Sequence, residues 1–582
     1  MVSPARSLAR LAVDREHPHY KWVALSNTTL GMLMATINSS IVIISLPDIF
    51  RGIGVDPLQP GNVSYLLWML MGFLLVTAVL VVTLGRLGDM YGRVKIYNLG
   101  FAVFTAGSIA LALDPLTAGG GALWLILWRL VQGVGAAMLF ANSTAILADA
   151  FPAERRGLAL GINQVAAIAG SFIGLVVGGL LAPVHWRLVF FVSVPFGLLG
   201  TLWSYHSLRE TSARVPARID WWGNVLFAGG LTAVLAAITY GIQPYGEHDM
   251  GWTNPWVLAG LIGGVALLVA FCVVETKVRE PMFNLSLFRI RAFSAGNLAG
   301  LLASMARGGL QFMLIIWLQG IWLPLHGYSF EQTPLWAGIY LLPLTVAFLV
   351  AGPLSGFLSD RFGARAFATG GLLLVAVSFL GLMLLPADFN YWAFAGLLVL
   401  NGIGSGLFSA PNTTAIMNSV PANQRGSASG MRATFFNAGT SLSVGIFFTM
   451  MIVGLAATLP SALTTGLAAH GVPETTAAAI GHQPPVGSLF AAFLGYNPIG
   501  TMLGSLPASA TQGADLSTLT SKQFFPQLIS SPFHHGLAIV FTVAILMSLI
   551  GAAASLFRGG RYIHAEQPAR QRVAASQLSH AS

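Results

Sequence analysis

What most limits the fold of this chain is a recurring length: stretches of about 20 mainly apolar residues, the number a helix needs to cross the roughly 30 Å hydrocarbon core of a bilayer. They fall at 22–46, 64–84, 96–113, 120–146, 158–183 and 188–207, then at 222–243 and 256–275, and then at 293–322, 335–357, 366–386, 392–418, 427–454 and 535–557. In hydrocarbon a segment must pair its own backbone N–H and C=O groups, so each run is expected to be a helix. The reading is an all-α polytopic membrane protein with 14 transmembrane helices arranged as 6+2+6. Only 8% of residues are charged, where a soluble domain carries about a quarter.

The basic residues orient this array. Of the 29 Lys and Arg, 24 fall in the terminal segments and alternate loops on one side, three (Arg51, Arg187, Lys522) on the other, and two (Arg129, Arg307) within spans. Such a bias puts both termini in the cytoplasm of a multi-pass protein of the cell membrane. The net charge of +9 is therefore a topology signal, and no nucleic-acid partner is implied. The domains expected are a cytoplasmic segment 1–21, a six-helix bundle 22–207, a linker 208–292 with two extra helices, a second bundle 293–557 and a cytoplasmic tail 558–582. The second bundle includes an extracytoplasmic segment, 455–534, whose only charges are Glu474, Asp515 and Lys522. Ser488 to Leu506 is apolar, but Pro498 interrupts it, so a capping segment is expected there and not a further span.

A short charged loop occurs twice. Gly85-x-Leu87-x-Asp89-x-x-Gly92-Arg93 recurs as Gly356-x-Leu358-x-Asp360-x-x-Gly363, 271 residues later, each after the second helix of its bundle. Internal duplication in an apolar chain points to a transporter built from repeats around a central site. The glycines permit close approach and tight turning, Asp89 suits the positive end of a neighbouring helix, and Arg93 can clasp a carboxylate. The residues expected to latch the two bundles are Gly85, Asp89, Gly92, Arg93, Gly356, Asp360, Arg361, Gly363 and Arg365. The plainer alternative is a tight turn with a solvated charge pair.

This loop resembles the cytoplasmic signature of the major facilitator superfamily. The fourth span adds Arg129-x-x-Gln132-Gly133-x-Gly135-Ala136-Ala137, and the fifth adds Gly170-x-x-x-Gly174-x-x-x-Gly178-Gly179, similar to that superfamily's antiporter signature. With the span count, the resemblance is to the fourteen-helix drug:proton antiporter branch, over residues 22–557. It implies two bundles rocking about a midplane cavity, with Arg129 near that cavity and linked to proton exchange.

Three positions depart from the branch: Asn38 stands where it has a first-helix aspartate, Leu175 follows Gly174 where it has proline, and Phe436 stands where it tends to have arginine. All 20 Asp and Glu fall in loops, tails or span ends, whereas proton coupling usually needs a buried group with a displaced pKa. The mid-span charges are positive. Arg129 and Arg307 each cost about 2.5–3.5 kcal/mol at the bilayer centre, so they must face a partner, water or the interior. Asn38, Asn142, Gln164, Arg307 and Gln311 are the residues expected to line a polar, acid-free cavity, better suited to an anionic or zwitterionic amphiphile than to a lipophilic cation.

The expected function is secondary active export of amphipathic small molecules (drugs, antibiotics, dyes), with proton coupling. A lipid or glycolipid exporter is the alternative that the missing acid favours, and a non-transporting receptor or scaffold is the remaining one. No enzyme signature, cofactor motif or nucleotide-binding G-x-x-x-x-G-K-[ST] loop is present. His534-His535 lacks further ligands for a metal, and the lone Cys272 excludes an intrachain disulfide. A monomer in the lipid bilayer is expected.

Overall fold

The structure is a computed structural model that describes residues 19–558 apart from 56–61, 152–155, 211–218, 247, 249, 279–280, 422–423, 483, 496 and 505–513. Among the described residues, 14 helices are long and apolar enough to cross a membrane. The first bundle holds α1 (Tyr20–Ile53), α2 (Asn62–Tyr91), α3 (Arg93–Ala112), α4 (Ala118–Ala150), α5 (Arg156–Leu181) and α6 (Leu188–Ser207). Next come α7 (Trp221–Gly241) and α8 (Pro255–Glu275). The second bundle holds α9 (Arg291–Leu325), α10 (Thr333–Tyr340 and Leu342–Phe362), α11 (Ala364–Leu384), α12 (Tyr391–Asn418), α13 (Arg425–Ala468) and α14 (Phe524–Leu556).

The two bundles pack by the same plan. α2 and α3 lie on α4 as α10 and α11 lie on α12, and α1 lies on α5 as α9 lies on α13. They meet along two seams, α2 with α13 and α5 with α10, while α7 and α8 pair and α7 leans on both α2 and α13. Hydrocarbon offers no hydrophobic drive between helices, so close backbone approach must supply the attraction. At Gly170, Gly174 and Gly178 of α5 an added Cβ would come within 2.8 Å of the Leu33 carbonyl, 3.0 Å of Ile37 Cα and 2.5 Å of Ile44 Cγ2, all on α1. Gly179 faces the other way, where a Cβ would lie 2.7 Å from the Pro334 carbonyl carbon of α10.

The segment expected over 455–534 is shorter than hydropathy implied. α13 runs on to Ala468 and α14 begins at Phe524. Beyond the apolar run, Leu455, Leu459, Leu463 and Leu467 form an i, i+4 stripe, each at most 2% exposed, that keeps the helix going by packing. The remainder folds into short helices at Glu474–Gly481, Pro485–Phe493, Pro498–Gly504 and Leu516–Leu519. Pro485–Phe493 is a buried plug: Phe490 stacks on Phe448 of α13 at 4.9 Å and Phe493 meets Phe312 of α9 edge-on at 6.4 Å. It sits against a π-helical turn of α9, Leu318–Trp322. Pro324 has no N–H to offer the Gly320 carbonyl one turn back, which explains the widened turn.

Candidate functional site

Each repeated loop is a single residue. Gly92 joins α2 to α3 at φ 118°, ψ 124°, and Gly363 joins α10 to α11 at φ 87°, ψ 147°. An L side chain rarely adopts this backbone, so the glycines make the reversal possible. At the first loop Arg93 bridges two acids, Nε to Asp89 Oδ1 and Nη1 to Asp149 Oδ2 of α4, both at 2.7 Å. Asp89 was expected at a helix N-terminus, but that place belongs to Glu210, whose Oε1 accepts from the amides of Val94 (2.7 Å) and Lys95 (3.1 Å) at the start of α3. The Arg93 contacts lie within the first bundle, whereas Arg86 reaches outward to donate to the Pro281 carbonyl at 3.0 Å. At the second loop Arg361 and Arg365 are exposed without an ion pair among the described residues, and the Asp360 side chain lies outside them. Gly85 and Gly356 occupy matching places, a Cβ on each meeting Ala141 or Ala410 at 3.4 and 3.5 Å.

Deeper in the first bundle Arg129 is 1% exposed and, among the described residues, is paired with no carboxylate. Its Nη1 donates to Asn38 Oδ1 at 2.6 Å and Gln132 Oε1 at 3.1 Å, its Nε reaches the Met69 carbonyl at 3.4 Å, and its guanidinium lies 4.4 Å over the Phe73 ring. The residue standing in for the branch's acid is thus the arginine's main acceptor. Asn38 in turn donates to Ser193 of α6 at 3.1 Å, and Gln132 to Ser108 of α3 at 2.8 Å, so the network clamps α1, α3, α4 and α6. Gly133 lets α4 approach α2, a Cβ there lying 3.0 Å from the Phe73 carbonyl.

A narrow cleft of about 20 Å³ lies on the seam between the bundles. α5 gives it Ile168, Ser171, Phe172 and Leu175, and α9 and α10 give it Arg307, Gln311, Leu314, Leu341, Leu344 and Thr345. Arg307 sits halfway along α9 with its guanidinium 4.4 Å over the Phe348 ring. Among the described residues it has no hydrogen bond or ion pair to a side chain or carbonyl, and no Asp or Glu lines the cavity.

Of the five residues expected to share one cavity, Arg307 and Gln311 line it, while Asn38 and Asn142 lie elsewhere. Asn38 is fully buried against Arg129. Asn142, also fully buried, pins α4 to α2 by donating to the Leu84 carbonyl at 3.3 Å. The Gln164 side chain lies outside the described residues.

Comparison with known proteins decides the family. The model of the Major Facilitator Superfamily matches residues 28–444 and 297–573. The chain belongs to the major facilitator superfamily. It is 28% identical, over 92% of its length and 91% of the other's, to the tetracenomycin C resistance and export protein of Streptomyces glaucescens. It is 30% identical, over 75% and 77%, to the multidrug resistance protein Stp of Mycobacterium tuberculosis. A bacterial homologue of the human lysosomal transporter Spinster, inward-facing and unoccupied, shares the fold at TM-score 0.56 and 16% identity, covering 94% of this chain and 99% of that one.

On this major facilitator frame, sequence reasoning had passed over several residues. Glu210 caps α3 from more than a hundred positions away. Arg432, counted with the loop before α13, is the eighth residue of that helix, and its Nη1 reaches Thr413 at 3.5 Å. Arg558, counted with the tail, is 5% exposed against Asn412, and burial holds its pKa down at about 10. Asp220 and Glu275, at the ends of the extra helices, are 5% and 3% exposed.

Proposed function

We propose that this protein is a secondary exporter of amphipathic small molecules such as drugs, antibiotics and dyes, working by alternating access of its two bundles and coupled to protons. The resistance and export proteins among its relatives support the cargo class. The observation that carries the finer reading is Arg307: an arginine with no anionic partner among the described residues, beside Gln311, on a seam to which both bundles contribute. A cation in such a place favours a cargo with an anionic or zwitterionic group on an apolar body, since Ile168, Phe172 and Leu175 supply the apolar wall.

The seam is closed at the end away from the repeated loops, where Gln319 of α9 donates to the Ile44 carbonyl of α1 at 3.2 Å and Gly179 abuts Leu335. That supports a conformation closed at the end the charge bias assigns to the outside. The test is efflux of 8-anilinonaphthalene-1-sulfonate and of rhodamine 6G from proteoliposomes, with and without an imposed proton gradient, for the natural chain and Arg307→Gln. Export of the sulfonate, driven by the gradient and reduced at least about tenfold in Arg307→Gln, is expected, about the 1.4 kcal/mol of one charge-assisted contact. Sulfonate export equal in the two proteins would end the assignment of Arg307 to cargo.

A further inference from the structure

With Asn38 in the place of the branch's acid, the described residues hold one place where two carboxyl groups are buried together: the feet of the two extra helices. Asp220 caps α7, its Oδ1 accepting from the Gly223 amide at 2.8 Å. Glu275 ends α8, its Oε2 accepting from the Phe283 amide at 2.8 Å. The second oxygen of each, Asp220 Oδ2 and Glu275 Oε1, is buried without a donor. A Cβ on Gly223 would stand 2.5 Å from Glu275 Oε1 and closer still to Asp220 Oδ2, so both oxygens crowd one point, and the two side chains are within hydrogen-bond reach. Two carboxylates held this close and buried repel each other, and one proton between them would satisfy both orphan oxygens at once.

The surroundings give that proton a route to the rest of the molecule. Phe283, whose amide Glu275 holds, packs on Phe227 and Phe271 of the extra helices and on Phe435 of α13 at 5.7 Å. Two residues earlier, the Pro281 carbonyl accepts from Arg86 in the first repeated loop. From α2, Thr83 also hydrogen-bonds Asn224, whose amide group bonds the Asp220 carbonyl. The charged and titratable groups around the pair are Arg86 from α2, Cys272 one turn back on α8 and the exposed Lys277 just past it; Arg279 and Glu280 lie outside the described residues. Segment 281–283 is therefore held by the carboxyl pair on one side and touches both helices of the α2–α13 seam on the other.

We propose that Asp220 and Glu275 form a shared-proton site through which the extra helix pair makes movement of the α2–α13 seam depend on proton binding. With the proton in place, Glu275 keeps its grip on the Phe283 amide. When it leaves, two buried anions repel, Glu275 swings toward water, and segment 281–283 is released from between Arg86 and Phe435.

The transport half of this proposal rests on the export reading, so the test has two independent readouts on the full-length protein. The first is the carboxylic C=O infrared band followed through a pH titration of reconstituted protein, for the natural chain, Glu275→Gln and Asp220→Asn. A band that titrates in the natural chain and is lost in both variants is expected. The second is sulfonate-dye efflux at equal pH on both sides. The natural chain should show a limb of up to about tenfold per pH unit, the slope of one proton, and Glu275→Gln, which keeps a neutral hydrogen-bonding side chain, should flatten it. An unchanged band and an unchanged pH profile in both variants would overturn the proposal. Loss of the band with no dye moved by any protein would sustain the proton site and overturn the export reading instead.

Discussion

The two single-glycine connections carry the same backbone cost in different company, which turns them into a matched experiment. At Gly363 an added Cβ meets nothing within 4 Å, so Gly363→Ala isolates the cost of an alanine at φ 87°, ψ 147°, about 1–3 kcal/mol. At Gly92, φ 118°, ψ 124°, the same cost applies, but the new Cβ would also stand 2.6 Å from Glu210 Oε1. Glu210 would have to leave the amides of Val94 and Lys95. Losing a capping acceptor at a partly exposed helix start adds about 0.5–2 kcal/mol. Gly92→Ala should therefore cost about 1.5–5 kcal/mol, and because Glu210→Ala removes the same cap, the double variant should fall short of the sum by that capping term. Thermal unfolding in detergent ranks the variants, and equilibrium unfolding in mixed micelles supplies the cycle. Gly363→Ala as damaging as Gly92→Ala, or strict additivity of Gly92→Ala with Glu210→Ala, would refute the reasoning.

Two further outcomes are expected. Asn38→Leu removes the closest acceptor of a buried guanidinium and should destabilise by about 3 kcal/mol, whereas Asn38→Asp, of the same shape and opposite in charge to Arg129, should accumulate normally; expression and melting temperature in detergent check both, and equal stability of Asn38→Leu and the natural chain would dismiss the contact. Asp114, in the turn before α4, has its pKa raised by burial, against the opposing pull of the Leu116 amide and Arg187. Its folded value lies above the unfolded one, so its favourable contribution is present in acid and lost as pH rises through the folded value. Asp114→Asn should accordingly melt higher than the natural chain at neutral pH and converge with it in acid.

How much of this was readable in the chain depends on what fixed each feature. Bilayer thickness sets helix length, so the fourteen spans stand out from hydropathy alone. Their ends do not, because α13 passes residue 454 on a leucine stripe that packs against protein, and its period escapes a window tuned to lipid. Gly92 and Gly363 were legible since a positive φ narrows the choice of residue to one. Arg129 and Arg307 were conspicuous as charges among apolar neighbours, but the first proved to be clamped by Asn38 and the second open to a cavity. The local sequence shows only Gln132, three residues on from Arg129; Asn38 and Met69, and the far wall of the Arg307 cavity, come from other helices. Glu210, Asp220 and Glu275 look in sequence like ordinary loop and helix-end acids; burial against distant segments gives them their roles.

The reach of α13 matters for anyone seeking to block this protein. At about 1.5 Å per residue, its 44 residues extend roughly 66 Å, more than twice the hydrocarbon thickness. The excess, together with the aromatic plug at Pro485–Phe493, stands at the end away from the repeated loops, and the charge bias is our ground for proposing that this end faces the outside of the cell. An inhibitor that wedges the plug against Phe448 and Phe312 would act on the external face. It would never need to enter the cytoplasm, and so would never be offered to the pump as something to expel.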